Sequence, residues 1–219
     1  RNIAGRVSYT NVIDAFDATD ATFSNRLLNT FQLGVDWQFL PITRFFAEAS
    51  YGINTGLGAD STKVSSNPIR GMLGVATALT EVITLRAKGG YAYAPYDAGA
   101  SFSGFIGETE LGYRYSPVGR VRAMYRRAFQ DSINANFYTE HMGKVALDQQ
   151  IGRVMFQGDV AARLRQYQGV PAIIGGLDVR DDTILSTTAK ADYALREWLA
   201  INATFDFASV QTDFRATID

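Results

Sequence analysis

Rows of charged residues at alternate positions are the feature of this sequence with the most capacity for chemistry. The rows follow one another along the chain in the order basic, acidic, basic. If these segments are neighbouring β-strands, their period of two places the charges side by side on one face. Such a face is either a charged constriction that selects solutes or sugars or a cross-strand ladder of ion pairs. We favour the ladder, which is compatible with a constriction. The residues are Arg86 and Lys88, then Glu108, Glu110 and Arg114, then Arg122 and Arg126.

Enzyme chemistry has few candidate residues here. Most hydrolase and acyl-transfer mechanisms use a histidine as base or relay, and this chain has a single histidine, His141, and no cysteine. Thr139 and Gly143 share its alternating position, so we expect His141 to face lipid or the rim of the protein. Asp131 and Ser132 are close in sequence but lie across a loop tip. We therefore predict no catalytic site, no metal site and no cofactor.

Alternation of apolar and polar residues is the strongest structural signal. In residues 31–39 every odd position is apolar and every even position is Gly or polar. A period of two puts the two sets on opposite faces of a strand. Most of the predicted strands reach or exceed the ~9–11 residues that cross a bilayer at a tilt. The eleven predicted strands cover residues 3–14, 27–40, 44–55, 68–79, 82–95, 102–116, 120–131, 137–148, 153–167, 183–196 and 198–213.

Short and long connections alternate between these strands. The long ones, such as residues 15–26, 56–67 and 168–182, are rich in Asp, Ser, Asn, Thr and Gly, whereas the one at Pro41 is short. Short turns on one side and long loops on the other are the arrangement of bacterial outer-membrane barrels, whose short turns face the periplasm. We predict a single β-barrel domain over residues 1–219.

A soluble β-sandwich is the alternative fold, because its strands also alternate. The long strands, the alternating loop lengths and the charges at mid-strand favour a barrel. An Arg or Lys at the bilayer midplane on the lipid face costs about 2–4 kcal/mol, so the charged face must line the interior. We predict an all-β, antiparallel, up-and-down transmembrane β-barrel in the bacterial outer membrane. Aromatic rings near the short turns predict a periplasmic interface belt, formed by Trp37, Phe39, Phe45, Tyr113, Tyr115 and Trp198.

The first and last predicted strands point in the same direction, as the order of turns and loops requires. A bacterial single-chain barrel has an even number of antiparallel strands. The last strand runs through Phe205 to Phe214, and the sequence stops at Asp219 without an aromatic residue at its end. We therefore expect about 11 strands in this sequence and 12 or more in the complete barrel. The closing strand is either missing from the sequence or supplied by a second chain.

Two stretches in the second half of the chain carry a characteristic pattern of strand edges and turns. One runs from Tyr125 to Ser132 and continues at residues 136–139, and the other covers residues 180–183 and 193–199. This pattern resembles the β-barrel porin type 2 family. The family's members are outer-membrane barrels, several of them linked to exopolysaccharide export. The resemblance implies a non-enzymatic envelope barrel, and it carries no site motif from which a residue's role follows.

Two functional hypotheses follow from a barrel of about 12 strands, a size between filled small barrels and open 16-stranded porins. The first is a pore or conduit in the outer membrane for exopolysaccharide or polar solutes. The second is a plugged structural or docking barrel within a larger envelope complex for secretion or surface motility. The expected partners are the lipid bilayer and, in the second case, other envelope proteins. A formal net charge of −1 gives no indication of nucleic acid.

Overall fold

Eleven antiparallel strands in one sheet form the described part of the chain. The computed structural model describes residues 2–15, 25–57, 64–132, 135–171, 177–196 and 198–214. Each strand pairs with the next in chain order, which is the up-and-down topology expected of a barrel. No helix among the described residues is long and apolar enough to cross a membrane. The strands are β1 (Asn2–Asp14), β2 (Arg26–Leu40), β3 (Thr43–Gly56), β4 (Ile69–Ala78), β5 (Ile83–Ala94), β6 (Phe102–Ser116), β7 (Gly119–Asp131), β8 (Phe137–Ile151), β9 (Val154–Pro171), β10 (Leu177–Arg196) and β11 (Leu199–Phe214).

All eleven predicted strands are present, and one predicted loop is wrong in extent. Residues 168–182 were expected to be a long loop, but β9 and β10 pair as far as Pro171 and Leu177. The register shifts between Asp178 and Arg180, where a bulge or irregularity interrupts the ladder. This segment was predicted to be a loop because it is rich in Gly and Asp. Its second part extends into β10, where the Arg180 guanidinium binds the buried Asp182 carboxylate at 2.8 Å, so the strand accommodates this pair of charges.

The sheet is curved so strongly that side chains of distant strands contact each other across its inner face. Arg26 begins β2 and Asp131 ends β7, so five strand spacings separate them along the sheet. In a flat sheet five spacings of about 4.8 Å would place the two strands about 24 Å apart. The Arg26 guanidinium instead lies 2.7 Å from the Asp131 carboxylate. The polar face therefore encloses an interior, which we call the lumen.

The outer face of the curled sheet is apolar and exposed. Val7, Leu73 and Phe105 are 79%, 71% and 72% exposed, although each belongs to the apolar set of its strand. Their sequence neighbours on the other face are polar, half-buried or, like Ile106, buried. A soluble sandwich places its apolar set between two sheets. Here that set covers the outside, which is the distribution of a transmembrane barrel.

The strands β1 and β11 form the two edges of the sheet. Within the described residues β1 pairs with β2, β11 pairs with β10, and the two edges do not pair with each other. Alternate hairpins make them run in the same direction. A strand running the opposite way would therefore pair antiparallel with both. The closing strand or second chain expected from the sequence stays a prediction.

An aromatic cluster lies inside the barrel near the long loops. The β6–β7 ladder extends only to Gly107 and Arg127, and beyond it the two strands follow their other neighbours. The ring of Phe129 stacks on Phe102 at a centroid distance of 4.5 Å, and Phe137 packs against both. Phe129 and Phe137 are almost completely buried. This cluster, with Tyr96 and Ile106, is the main apolar core of the described residues.

Candidate pore lining

The seven residues of the predicted charge ladder lie on adjacent strands of the inner face. Arg86 stands opposite Glu110, and Lys88 opposite Glu108, between β5 and β6. Glu108 also stands opposite Arg126 between β6 and β7. The basic, acidic and basic rows are therefore side by side, as the strand order requires. Arg114 is nearer the turn end, where its guanidinium donates to the backbone oxygen of Glu81 at 2.7 Å.

The ion pairs of the ladder differ from the expected ones. Arg122 and Arg126 were expected to flank Glu108 and Glu110, together with Arg86 and Lys88. Among the described residues, no cation lies within ion-pair distance of Glu108, and Glu110 reaches Arg120 at 3.8 Å. The other cations bind acids on different strands: Lys88 with Glu48 at 3.5 Å, Arg122 with Asp148 at 3.0 Å and Arg126 with Glu140 at 2.5 Å.

A physical reason for this difference is the length and direction of the side chains. Long side chains lean along their strands, so a diagonal partner is as near as the directly opposite one. Each basic row also has a neighbouring strand on its other side, and sequence alone does not show which of the two strands supplies the ion-pair partner. Arg126 shows the result, because its partner Glu140 is on β8 while Glu108 is on β6.

Glu140 is the most buried charged side chain of the described lumen, and two arginines bind it. Its carboxylate accepts from Arg126 at 2.5 Å and from the Nε of Arg165 at 2.8 Å. The Glu140 side chain is only 2% exposed, whereas the two arginines are about one-third exposed. The Arg165 guanidinium also lies over the ring of Tyr138, 4.8 Å from its centroid. The alternation placed Glu140 and Arg165 on the inner face but did not predict their contact.

A basic vestibule opens at the turn end of the lumen. It is a cavity of about 370 Å³, lined among others by Arg44, Arg86, Arg120 and Glu110. Arg44 lies 3.4 Å from Asp36. Arg86 has no ion-pair partner among the described residues, and its guanidinium lies 5.2 Å from the centroid of the Phe46 ring. The vestibule therefore carries a surplus of positive charge.

A polar clamp spans the lumen at the loop end. Arg26 donates to Asp14 at 2.6 Å and to Asp131 at 2.7 Å. The hydroxyl of Tyr96, in the segment between β5 and β6, donates to the second Asp131 oxygen at 3.0 Å. Burial and the neighbouring Asp131 charge raise the pKa of Tyr96, so the hydroxyl stays protonated and keeps donating. The clamp joins β1, β2 and β7 through buried charges.

The predicted aromatic belt lies at the turn end of the outer face. The Trp37 ring is 5.1 Å from that of Phe39 and 6.1 Å from that of Phe45. Tyr113 and Tyr115 are exposed on β6. Trp198, in the turn before β11, is 76% exposed. The five rings on β2, β3 and β6 share one face, and Trp198 lies at the same end of the sheet, while the role of all six at a membrane interface stays a prediction.

Comparison with known proteins gives structural similarity alone. No protein-family model matches the chain, and no curated protein matches it. Among the solved structures that are similar is a chain described as KdgM porin. It is 7% identical, the alignment covers 95% of this chain and 98% of that one, and the TM-score is 0.33. This similarity does not identify a family, so the resemblance to the β-barrel porin type 2 family stays an expectation.

The sequence analysis missed the aromatic cluster as part of the lumen. Phe102 and Ile106 have the same parity as Glu108, so their inward position could have been recognised. The inward position of Phe129 could not be recognised, because it follows inward-facing Arg126 by an odd number of positions and alternation therefore places it on the outer face. Its inward ring depends on the separation of β6 and β7 beyond Gly107. Tyr96 lies outside the strands, where alternation gives no information.

Proposed function

We propose that this chain is an outer-membrane β-barrel that forms a narrow channel for small polar solutes. The observation that carries the proposal is the division of the sheet into an exposed apolar outer face and a charged inner face. The described strands are 10 to 20 residues long. A tilted strand needs about 9–11 residues to cross a bilayer. The structure therefore has the length and surface that a membrane barrel requires.

The charges of the lumen support a path for polar solutes. Lys144 and Asp159 pair at 3.0 Å and are about one-quarter to one-third exposed. Lys190 and Asp192 pair at 3.0 Å and are still more open. Partly exposed charges replace some of the hydration of a passing solute. This side of the lumen, lined by β8, β9 and β10, is the proposed path beside the aromatic cluster.

The two ends of the lumen determine the size and the charge of the solutes that we expect to pass. The clamp and the aromatic cluster narrow the loop end, so we expect passage of small solutes only. The basic vestibule at the turn end favours anions over cations, because its positive charge repels cations from a low-dielectric entrance. Export of a long polysaccharide, as the family resemblance implies, would require the clamp to open.

A liposome-swelling assay tests the solute class. Purified chain is reconstituted into liposomes, which are then diluted into isotonic solutions of sugars of increasing size. We expect swelling with a monosaccharide and none with a long oligosaccharide. Liposomes prepared with heat-denatured chain are the control. Equal swelling with every size would contradict a narrow channel.

A plugged structural barrel is the second candidate function. The aromatic cluster of Tyr96, Phe102, Phe129 and Phe137 favours it, because these rings fill part of the loop end. In that case neither the wild type nor Phe129→Ala would support swelling. If the cluster is only a constriction, Phe129→Ala leaves space where the ring was and should admit larger sugars.

A further inference from the structure

Arg127 is a charged residue on the otherwise uncharged outer face. At the outward positions between the turn and loop ends of the described strands, it is the one charged side chain. Asp181 and Asp213 also share that face, but they stand opposite each other at the loop end. Arg127 follows inward-facing Arg126, and its side chain is exposed. Among the described residues no ion pair or hydrogen bond satisfies its guanidinium.

A hydrogen-bonded pair of polar residues, Tyr125 and His141, lies beside Arg127 on the same face. His141 of β8 is directly opposite Arg127, and Gly107 of β6 is opposite it on the other side. The Tyr125 hydroxyl lies 2.7 Å from His141 Nδ1. When that hydroxyl donates to Nδ1, the Nε2–H of the imidazole is free to donate to a ligand. Cationic and neutral donors therefore lie together on an apolar surface.

The backbone around these donors leaves room for a ligand. Gly143 faces outward beside His141, and the position of its missing side chain has no atom within 4 Å. The outward-facing Phe105 and Leu164 are exposed near the two sides of the group. The site therefore combines a flat polar centre with apolar neighbours, which suits a ligand with a charged head and an apolar tail.

The height of Arg127 matches the outer boundary of a membrane. It lies eight residues along β7 from Gly119 at the turn end. At about 3.3 Å per residue and a tilt of about 40°, that corresponds to roughly 20 Å. The apolar band of an outer-membrane barrel is about 25 Å tall. A long Arg side chain at this level extends into the outer headgroup layer.

We propose that Arg127, Tyr125 and His141 form a binding site for a phosphate group of an anionic glycolipid in the outer leaflet. A guanidinium presents a planar fork of donors that matches two phosphate oxygens. The imidazole adds a second donor group, and the exposed apolar side chains nearby contact the acyl chains. The site rests on the proposed membrane insertion with long loops outward.

Native mass spectrometry of the full chain tests this site. The protein is released from nanodiscs of zwitterionic phospholipid that contain bisphosphorylated lipid A, and the bound fraction is measured. We expect Arg127→Leu to weaken lipid A binding about tenfold or more, which corresponds to the loss of charge-assisted hydrogen bonds. Arg153→Leu is the matched control, because Arg153 lies in the β8–β9 turn at the other end. Its lipid A binding should match that of the wild type.

Three further measurements decide the outcome. Dephosphorylated lipid A should bind the wild type and Arg127→Leu equally weakly. Phosphatidylglycerol should bind less than lipid A, and equal binding of the two would overturn the glycolipid assignment. Protease protection in the same nanodiscs reports insertion separately. If the chain inserts but Arg127→Leu binds lipid A like the wild type, the site is refuted while the membrane barrel stands. If the chain does not insert, the proposed function itself fails.

Discussion

The guanidinium of Arg26 on β2 lies 2.7 Å from the carboxylate of Asp131 on β7, although 105 residues separate them in the chain. Both side chains are nearly buried, with 12% and 9% of their surface exposed. This contact crosses the loop end of the lumen and is anchored on one side by Asp14 and on the other by Tyr96. It fixes the curvature of the sheet and limits the opening.

The clamp leads to a prediction for Asp131→Asn. The change removes the charge that Arg26 faces in a buried position, so we expect a loss of about 2–3 kcal/mol in the free energy of unfolding. Urea unfolding in detergent micelles, followed by tryptophan fluorescence, measures it. Lys190→Gln is the control, because its ion pair with Asp192 is exposed and should contribute about 1 kcal/mol or less. Equal losses in the two variants would show that the clamp does not stabilise the barrel.

Glu140 leads to a second stability prediction. Glu140→Gln leaves Arg126 and Arg165 without the carboxylate that both bind, and we expect a loss of about 3 kcal/mol. The same change at Glu81, an exposed residue in the β4–β5 turn, should have little effect. Both are measured as shifts of the urea midpoint. A Glu140→Gln midpoint within error of the wild type would be inconsistent with a central role of this residue.

Ion selectivity should depend on Arg86. Its guanidinium lines the basic vestibule and has no carboxylate partner within the described residues. Arg86→Gln, which places no second carboxylate opposite Glu110, should therefore shift the reversal potential towards cation preference, with a loss of stability of about 1 kcal/mol or less from the Phe46 contact. A variant that keeps the wild-type reversal potential would place Arg86 outside the conducting path.

The double change Arg122→Glu with Arg126→Glu should behave differently from Arg86→Gln. These two arginines bind Asp148 and Glu140, so the new carboxylates face existing ones. We expect cation preference together with a marked fall in the unfolding midpoint, because like charges opposite one another repel. Unchanged stability would mean that the two ion pairs contribute little to the folded state.

The alternation of the sequence was sufficient to predict the strands and most of their faces. Phe31, Leu33 and Val35 are exposed on the outer face of β2, as a period of two requires. The choice of ion-pair partners was not predictable, because Arg126 has acids on both neighbouring strands and only the packed side chains select Glu140. The inward ring of Phe129 was not predictable either, since it follows from the divergence of two strand ladders.

Cysteine labelling of intact bacteria tests the orientation of the barrel. The chain has no native cysteine, so single substitutions report cleanly. Loops 15–26, 56–67 and 168–182 were predicted to be extracellular, and parts of them lie outside the described residues. We expect Asp97→Cys, in the exposed β5–β6 segment, to react with an impermeant maleimide. Val118→Cys, in the β6–β7 turn, should react only after the outer membrane is permeabilised. The reverse pattern would invert the topology.

The conductance of purified chain in a planar lipid bilayer tests the central claim most directly. A narrow channel with a basic vestibule should give discrete current steps, a reversal potential on the anion side in a salt gradient, and larger steps for Phe129→Ala, which removes the ring beside Phe102. Insertion of the wild type and Phe129→Ala, shown by protease protection, without current steps from either would contradict the proposed channel and favour the plugged barrel.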